Sequence, residues 1–152
     1  HGGVINKYIG DAVMALFGAP MQSTTHATDA YAAALDMRKE LEKMNVSFAA
    51  KGLPRLHFGI GLHSGPVLAG NIGAANRMEY TVIGDTVNTA SRIEGLCKTY
   101  KKDLLLSEST VQRLQAARNN INLTFIDDAE IRGRKEKVKL YSDSDRILCY
   151  NN

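Results

Sequence analysis

Two apolar strands separated by a Gly-Asp pair, at the very start of the chain, constrain the fold most. Val4–Ile9 carries β-branched Val4 and Ile5 and aromatic Tyr8, and Ala12–Phe17 is an almost unbroken apolar run. Between them stands Gly10-Asp11, a turn pair in which glycine supplies the permissive backbone that a tight hairpin needs. The stretch reads as a β-hairpin with one carboxylate, Asp11, at its tip. Aspartate is a common turn former, so the hairpin alone would make Asp11 a turn residue and no more. A second Gly-Asp changes the weighing: Gly84-Asp85 in IGDTVNTASR follows a strand and opens a helix that carries Asn88 and Arg92.

With 152 residues, 44% of them apolar, the chain suits one domain over 1–152 with a real core, and disorder is a poor description. The formal charge is +3, but RGRKEKVK at 132–139 alone holds a net +4, so the remainder is slightly acidic. One basic strand or loop explains that better than a nucleic-acid-binding coat, and no nucleic-acid partner is expected. Cys97 and Cys149 match no metal spacing and read as reduced thiols of a cytoplasmic protein. No apolar run approaches the roughly 18 residues of a membrane span. The chain begins at His1 without an initiator methionine, and a strand pattern starts by residue 4; a piece of a longer polypeptide is expected.

Beyond Pro20 a polar linker leads to a helix. Ala27, Ala30, Tyr31, Ala34, Leu35, Met37, Leu41 and Met44 recur at three- and four-residue steps as an apolar stripe. Thr24 or Thr25 is its expected cap, Arg38, Lys39, Glu40, Glu42 and Lys43 its solvated face, and Gly52 and Pro54 its end. Leu56–His63 alternates into a strand that continues at Val67–Ala69. Glycines at 59, 61, 65 and 70 thin it, which points either to close backbone approach by a neighbour or ligand or to simple bulging. His57 and His63 read as ordinary strand residues. Residues 71–80 read as a loop or exposed arm entering a strand, Glu79–Ile83, and Asp85 as the N-cap of a helix to about Tyr100. Short strands at Asp103–Leu106, Leu123–Asp127, Val138–Ser142 and Ile147–Tyr150 and a short helix from Ser107 to about Arg118 complete the chain. The interleaving argues for an α+β sandwich with helices on one side of a mostly antiparallel sheet.

Asn88 and Arg92 lie four apart, so an amide and a guanidinium share one helix face and reach one ligand. An amide orients a hydroxyl; a guanidinium grips phosphate through a planar fork and stabilises developing charge. A solvated face would read the same way in isolation, but apolar Val87 and Ala90 flank the pair behind the Gly-Asp. Lys7, four before Asp11, is disfavoured in a half-buried strand and calls for solvent, a carboxylate or a base-edge acceptor. Arg132 and Arg134, across Gly133, suit a leaving polyphosphate or a solvated basic edge.

Taken together, GGVINKYIGDAVMALFG, FGIGLHSGPVLAGNIG and EYTVIGDTVNTASRIEG closely resemble the class III nucleotidyl cyclase catalytic domain, nearest its bacterial adenylate cyclase branch. The resemblance runs from His1 to about Tyr141 and weakens after Leu106. It implies a ferredoxin-like fold working as a head-to-tail homodimer, with active sites shared between subunits. It implies that Asp11 is one of two metal-binding aspartates, for two Mg²⁺ or Mn²⁺ ions. Asn88 and Arg92 match the pair that orients the ribose and stabilises the pentavalent phosphorus. Lys7 and Thr81 match the base-selecting positions; lysine with threonine resembles adenylate cyclases, whereas guanylate cyclases usually carry Glu and Cys. Arg132 aligns with a lysine that contacts the terminal phosphates. The implied reaction is attack of the ribose 3′-hydroxyl of ATP on its own α-phosphate, giving cyclic AMP and pyrophosphate for intracellular signalling. A guanylate cyclase and a non-catalytic nucleotide-binding or regulatory module are the alternatives. In the family the first metal aspartate sits on an opening strand, before a Phe-Thr loop and a long helix, all of which would precede His1. This chain alone is therefore expected to bind metal weakly, cyclise little, and leave a sheet edge and an apolar face uncovered.

Overall fold

The Gly10-Asp11 hairpin forms as read, with Gly10 at φ +62°. The structure, a computed structural model, describes residues 1–74, 77–116, 121–134 and 136–143. Its elements are β1 (Val4–Ile9), β2 (Ala12–Leu16), α1 (His26–Ala50), β3 (Ile60–Leu62), β4 (Leu68–Ala74) and β5 (Arg77–Ile83). They continue with α2 (Asp85–Tyr100), β6 (Leu104–Ser107), α3 (Glu108–Ala116), β7 (Thr124–Ala129) and β8 (Val138–Ser142). The expected strand Ile147–Tyr150, the end of the short helix near Arg118, and Cys149 lie outside the described residues.

The α+β class holds, but the strands form three sheets: β1-β2, β3-β6-β8-β7 and β4-β5. The pairing of β3 with β6 is parallel and the other described pairings are antiparallel. Of residues 71–80, expected as a loop or exposed arm entering the strand Glu79–Ile83, 71–74 belong to β4 and 77–80 to β5, and the two strands pair as an arm in which Gly70 faces Thr81.

The helices do not all lie on one side, and β6 shows why. Leu104 to Ser107 are all buried, so both faces of this strand are covered. Leu104 and Leu106 meet Ala27, Tyr31 and Ala34 of α1 and Val111 and Leu114 of α3. Leu105, pointing the other way, meets Ile93 and Cys97 of α2 together with Val138 and Leu140. Thus α2 packs on the face opposite α1 and α3.

Gly61 of β3 and Gly59 just before it serve that packing. A Cβ at Gly61 would fall 2.6 Å from the carbonyl oxygen of Ala90, and one at Gly59 2.7 Å from Cβ of Cys97. The close neighbour is therefore α2 itself. The strand is also shorter than Leu56–His63. Asn45 of α1 takes both backbone groups of Leu56, its Nδ2 donating to the carbonyl at 2.9 Å and its Oδ1 accepting from the N–H at 2.8 Å. Those groups are then unavailable to a sheet ladder.

Arg38 is not on a solvated face. It is buried and donates to both carboxylate oxygens of Asp143 (2.8 and 2.9 Å) and to Asp103. Tyr31 also donates to Asp143, at 2.8 Å. Arg38→Met is expected to strand two buried carboxylates and to lower stability by about 3–5 kcal/mol, read as a drop in the urea midpoint. Two capping expectations change as well. Thr25 holds the N-cap position of α1, but its hydroxyl donates to Asp29 (2.7 Å) rather than capping backbone. In α2 the N-cap is Gly84, and Asp85 is the first helical residue, still beside the positive end of the dipole.

Candidate functional site

α2 positions most of the candidate chemistry. Thr89, Ile93 and Cys97 bury one face of it. At about 100° per residue, Asp85, Asn88 and Arg92 fall together on the other side. Asn88 is exposed and Arg92 half-buried. The amide and guanidinium thus stand on the outward face, as their spacing requires.

The turn after β7 meets that face. Arg92 Nη1 donates to the carbonyl of Arg132. The Arg134 guanidinium lies 3.4 Å from the Asp85 carboxylate. The structure therefore brings Asn88, Arg92 and Arg132 to one side of α2, with the Arg132 side chain exposed.

Lys7 and Thr81 are linked through their neighbours. The register of β1 on β2 slips between Ile5 and Lys7, which makes Asn6 a bulged residue. Its Nδ2 donates to the carbonyl of Tyr80 at 3.3 Å, tying the hairpin to β5 one residue from each candidate. Asn6 was not singled out from the sequence; a bulge leaves no periodicity signal. Lys7 is exposed and Thr81 half-buried.

Asp11 is exposed at the hairpin tip, and its charge is felt on the far side of α2. Burial, and after it the negative charge of Asp11, push the Glu94 carboxyl above its ordinary range. Glu94 lies roughly 140° around the helix from Asn88 and Arg92. Asp11 offers one hard oxygen donor of the kind Mg²⁺ or Mn²⁺ takes. Among the described residues no three His, Cys, Asp or Glu side chains converge.

A cavity of about 400 Å³ opens at the start of α2, between the loop after β3 and the basic segment. Its walls include His63, Thr86, Asp85, Arg134, Glu108 and Lys139, and none of the six sequence-derived residues. Its cations are matched by acids, Arg134 by Asp85 at 3.4 Å and Lys139 by Glu108 at 3.2 Å. That balance offers a triphosphate little. His63, read as a plain strand residue, sits beyond β3 with Nδ1 2.8 Å from Ser107 Oγ. Burial, with Arg134 nearby, pushes its imidazole down from 6.5 to about 4. The unfolded chain then binds the extra proton first, so stability falls as pH drops from 6.5 towards 4. His63→Gln is expected to flatten that part of the pH–stability curve, measured by urea unfolding.

Residues 5–142 match the adenylate and guanylate cyclase catalytic domain family. The chain belongs to that family, the class III nucleotidyl cyclases. It is 41% identical over 145 residues to an adenylate cyclase of Anabaena cylindrica, covering 92% of this chain and 28% of that one. The structure resembles the adenylyl cyclase CyaB from P. aeruginosa with TM-score 0.82 and 30% identity, over 97% of this chain and 76% of that one. It also resembles a guanylate cyclase domain from Catenaria anguillulae solved in complex with GTP, with TM-score 0.73 and 35% identity, over 92% of this chain and 71% of that one. The chain thus spans little more than a quarter of the Anabaena protein.

Proposed function

We propose that residues 1–152 are the catalytic domain of an adenylate cyclase, converting ATP to 3′,5′-cyclic AMP and pyrophosphate. The observation that carries this is the convergence on one side of α2 of Asn88, Arg92 and the Arg132 turn. Asn88 holds the ribose so that its 3′-oxygen faces the α-phosphorus. Arg92 stabilises the charge that builds on the pentavalent phosphorus as the new P–O bond forms and the bond to the β-phosphate oxygen breaks. Arg132 holds the terminal phosphates and the departing pyrophosphate. Lys7 and Thr81 select the base. Mg²⁺ or Mn²⁺, two per complete site, belongs to the reading as an electrostatic partner of the phosphates, with Asp11 as the donor supplied by the described residues.

The reading includes a homodimer with active sites at the subunit interface. Support comes from the charge of Asp11, which reaches Glu94 on the side of α2 turned away from Asn88 and Arg92; the outward face is left to a neighbouring chain's hairpin. It also includes a cytoplasmic setting, supported by the free, buried thiol of Cys97. Among the described residues no helix is long and apolar enough to cross a membrane.

The test is cyclic AMP formation from ATP with Mn²⁺ by the natural polypeptide that carries this domain. Turnover of ATP in preference to GTP is the expected result. Cyclic GMP as the main product would favour the second reading, a guanylate cyclase, to which the similarity with the Catenaria domain lends weight. Nucleotide binding without either product would point to a non-catalytic module.

A further inference from the structure

We infer that the Ile131–Arg134 turn is a positioning element for Arg92: its flipped central peptide holds the guanidinium, and the Asp85–Arg134 pair holds the turn. The inference rests on the cyclase reading and extends it to residues outside the six candidates. The N–H of Arg134 donates to the carbonyl of Ile131 at 2.9 Å, which closes a four-residue turn. Gly133 sits at φ +82°, and Arg132 is not among the residues of positive φ. That combination is a type II turn, whose central peptide is rotated relative to type I and requires glycine at its third position. The carbonyl of that central peptide belongs to Arg132, and it is the group to which Arg92 Nη1 donates.

The geometry is demanding at both ends. A Cβ on Gly133 would lie 3.3 Å from Arg92 Nη1, so a side chain there would strain the turn and crowd the guanidinium together. At the other end Arg134 meets Asp85 at 3.4 Å, and Thr89 Oγ1 donates to the same Asp85 oxygen at 3.4 Å. Asp85, Asn88 and Arg92 share one helix face, so the turn spans Asn88 with a tether on either side. An unanchored arginine loses much rotamer freedom when it engages a ligand. Here that loss is taken in advance. The acceptor is a neutral carbonyl, which orients the guanidinium without cancelling its charge and leaves four of its five N–H donors for phosphate. A carboxylate in the same place would compete with the substrate.

The test uses the natural polypeptide carrying this domain, with steady-state kinetics on ATP and Mn²⁺ and thermal unfolding. Gly133→Ala is expected to lower kcat by about ten- to a hundredfold. The KM for ATP should move much less, and the melting temperature should fall by a few degrees because alanine strains the turn. Asp85→Arg and Arg134→Asp, both on the surface, are each expected to lower kcat by about threefold, and the double swap to restore it. A purely structural role for the turn would lower the melting temperature and leave kcat per folded molecule intact. Wild-type kcat in Gly133→Ala, or single charge variants that equal the swap, would overturn the inference while leaving the cyclase reading standing. A wild-type protein that makes no cyclic nucleotide would remove both.

Discussion

Replacing Arg92 by alanine is expected to lower cyclic nucleotide formation by about a hundred- to a thousandfold while the domain stays folded. The side chain projects from the outward face of α2, away from the packed stripe of Thr89, Ile93 and Cys97. Its truncation therefore opens no cavity in the core, and the lost contact is a bond to the Arg132 carbonyl. The loss falls on the transition state, because the charge it meets is greatest when phosphorus is five-coordinate. For that reason kcat should fall far more than KM rises. Arg92→Lys keeps a cation but loses the planar fork, and only partial recovery is expected. Cyclic AMP formation and urea unfolding, run on the same preparations, separate the two effects. Turnover by Arg92→Ala within a few-fold of wild type would show that the pair with Asn88 is a solvated helix face after all.

The parts legible from the sequence were those fixed by short-range rules. The Gly10-Asp11 hairpin and the helix from Asp85 to Tyr100 form where turn chemistry and the Gly-Asp signal put them. The glycines at 59 and 61 did announce a close approach, but only the fold reveals that α2 is what approaches. Arg38 was misread because its partners Asp103 and Asp143 stand 65 and 105 residues away. A local pattern of charges cannot distinguish a solvated arginine from one that meets two distant carboxylates. Leu56 was misread for a related reason: a side chain from the preceding helix occupies its backbone groups. The candidate site divides the same way. Asn88 and Arg92 follow from helical spacing. The Arg132 carbonyl, the bulged Asn6 and the Arg134–Asp85 pair are tertiary facts with no periodic signature.

Mixing Asp11→Ala with Arg92→Ala is expected to restore about a quarter of wild-type activity, although each variant alone is nearly inactive. The charge of Asp11 acts on Glu94, on the side of α2 turned away from Asn88 and Arg92. On the cyclase reading, one chain does not present its hairpin carboxylate and its guanidinium to the same substrate. A two-fold dimer does, twice over, because each hairpin then faces the other chain's outward α2 surface. A mixed dimer gathers both losses in one of its two sites and leaves the other whole. Random pairing makes about half the dimers mixed, which gives the quarter. If both groups served one site within a single chain, no mixture would exceed the sum of its parts. Sedimentation at the assay concentration shows whether mixed dimers are present. With dimers present, a mixture no more active than its components would refute the shared site and leave Asp11 as a turn residue.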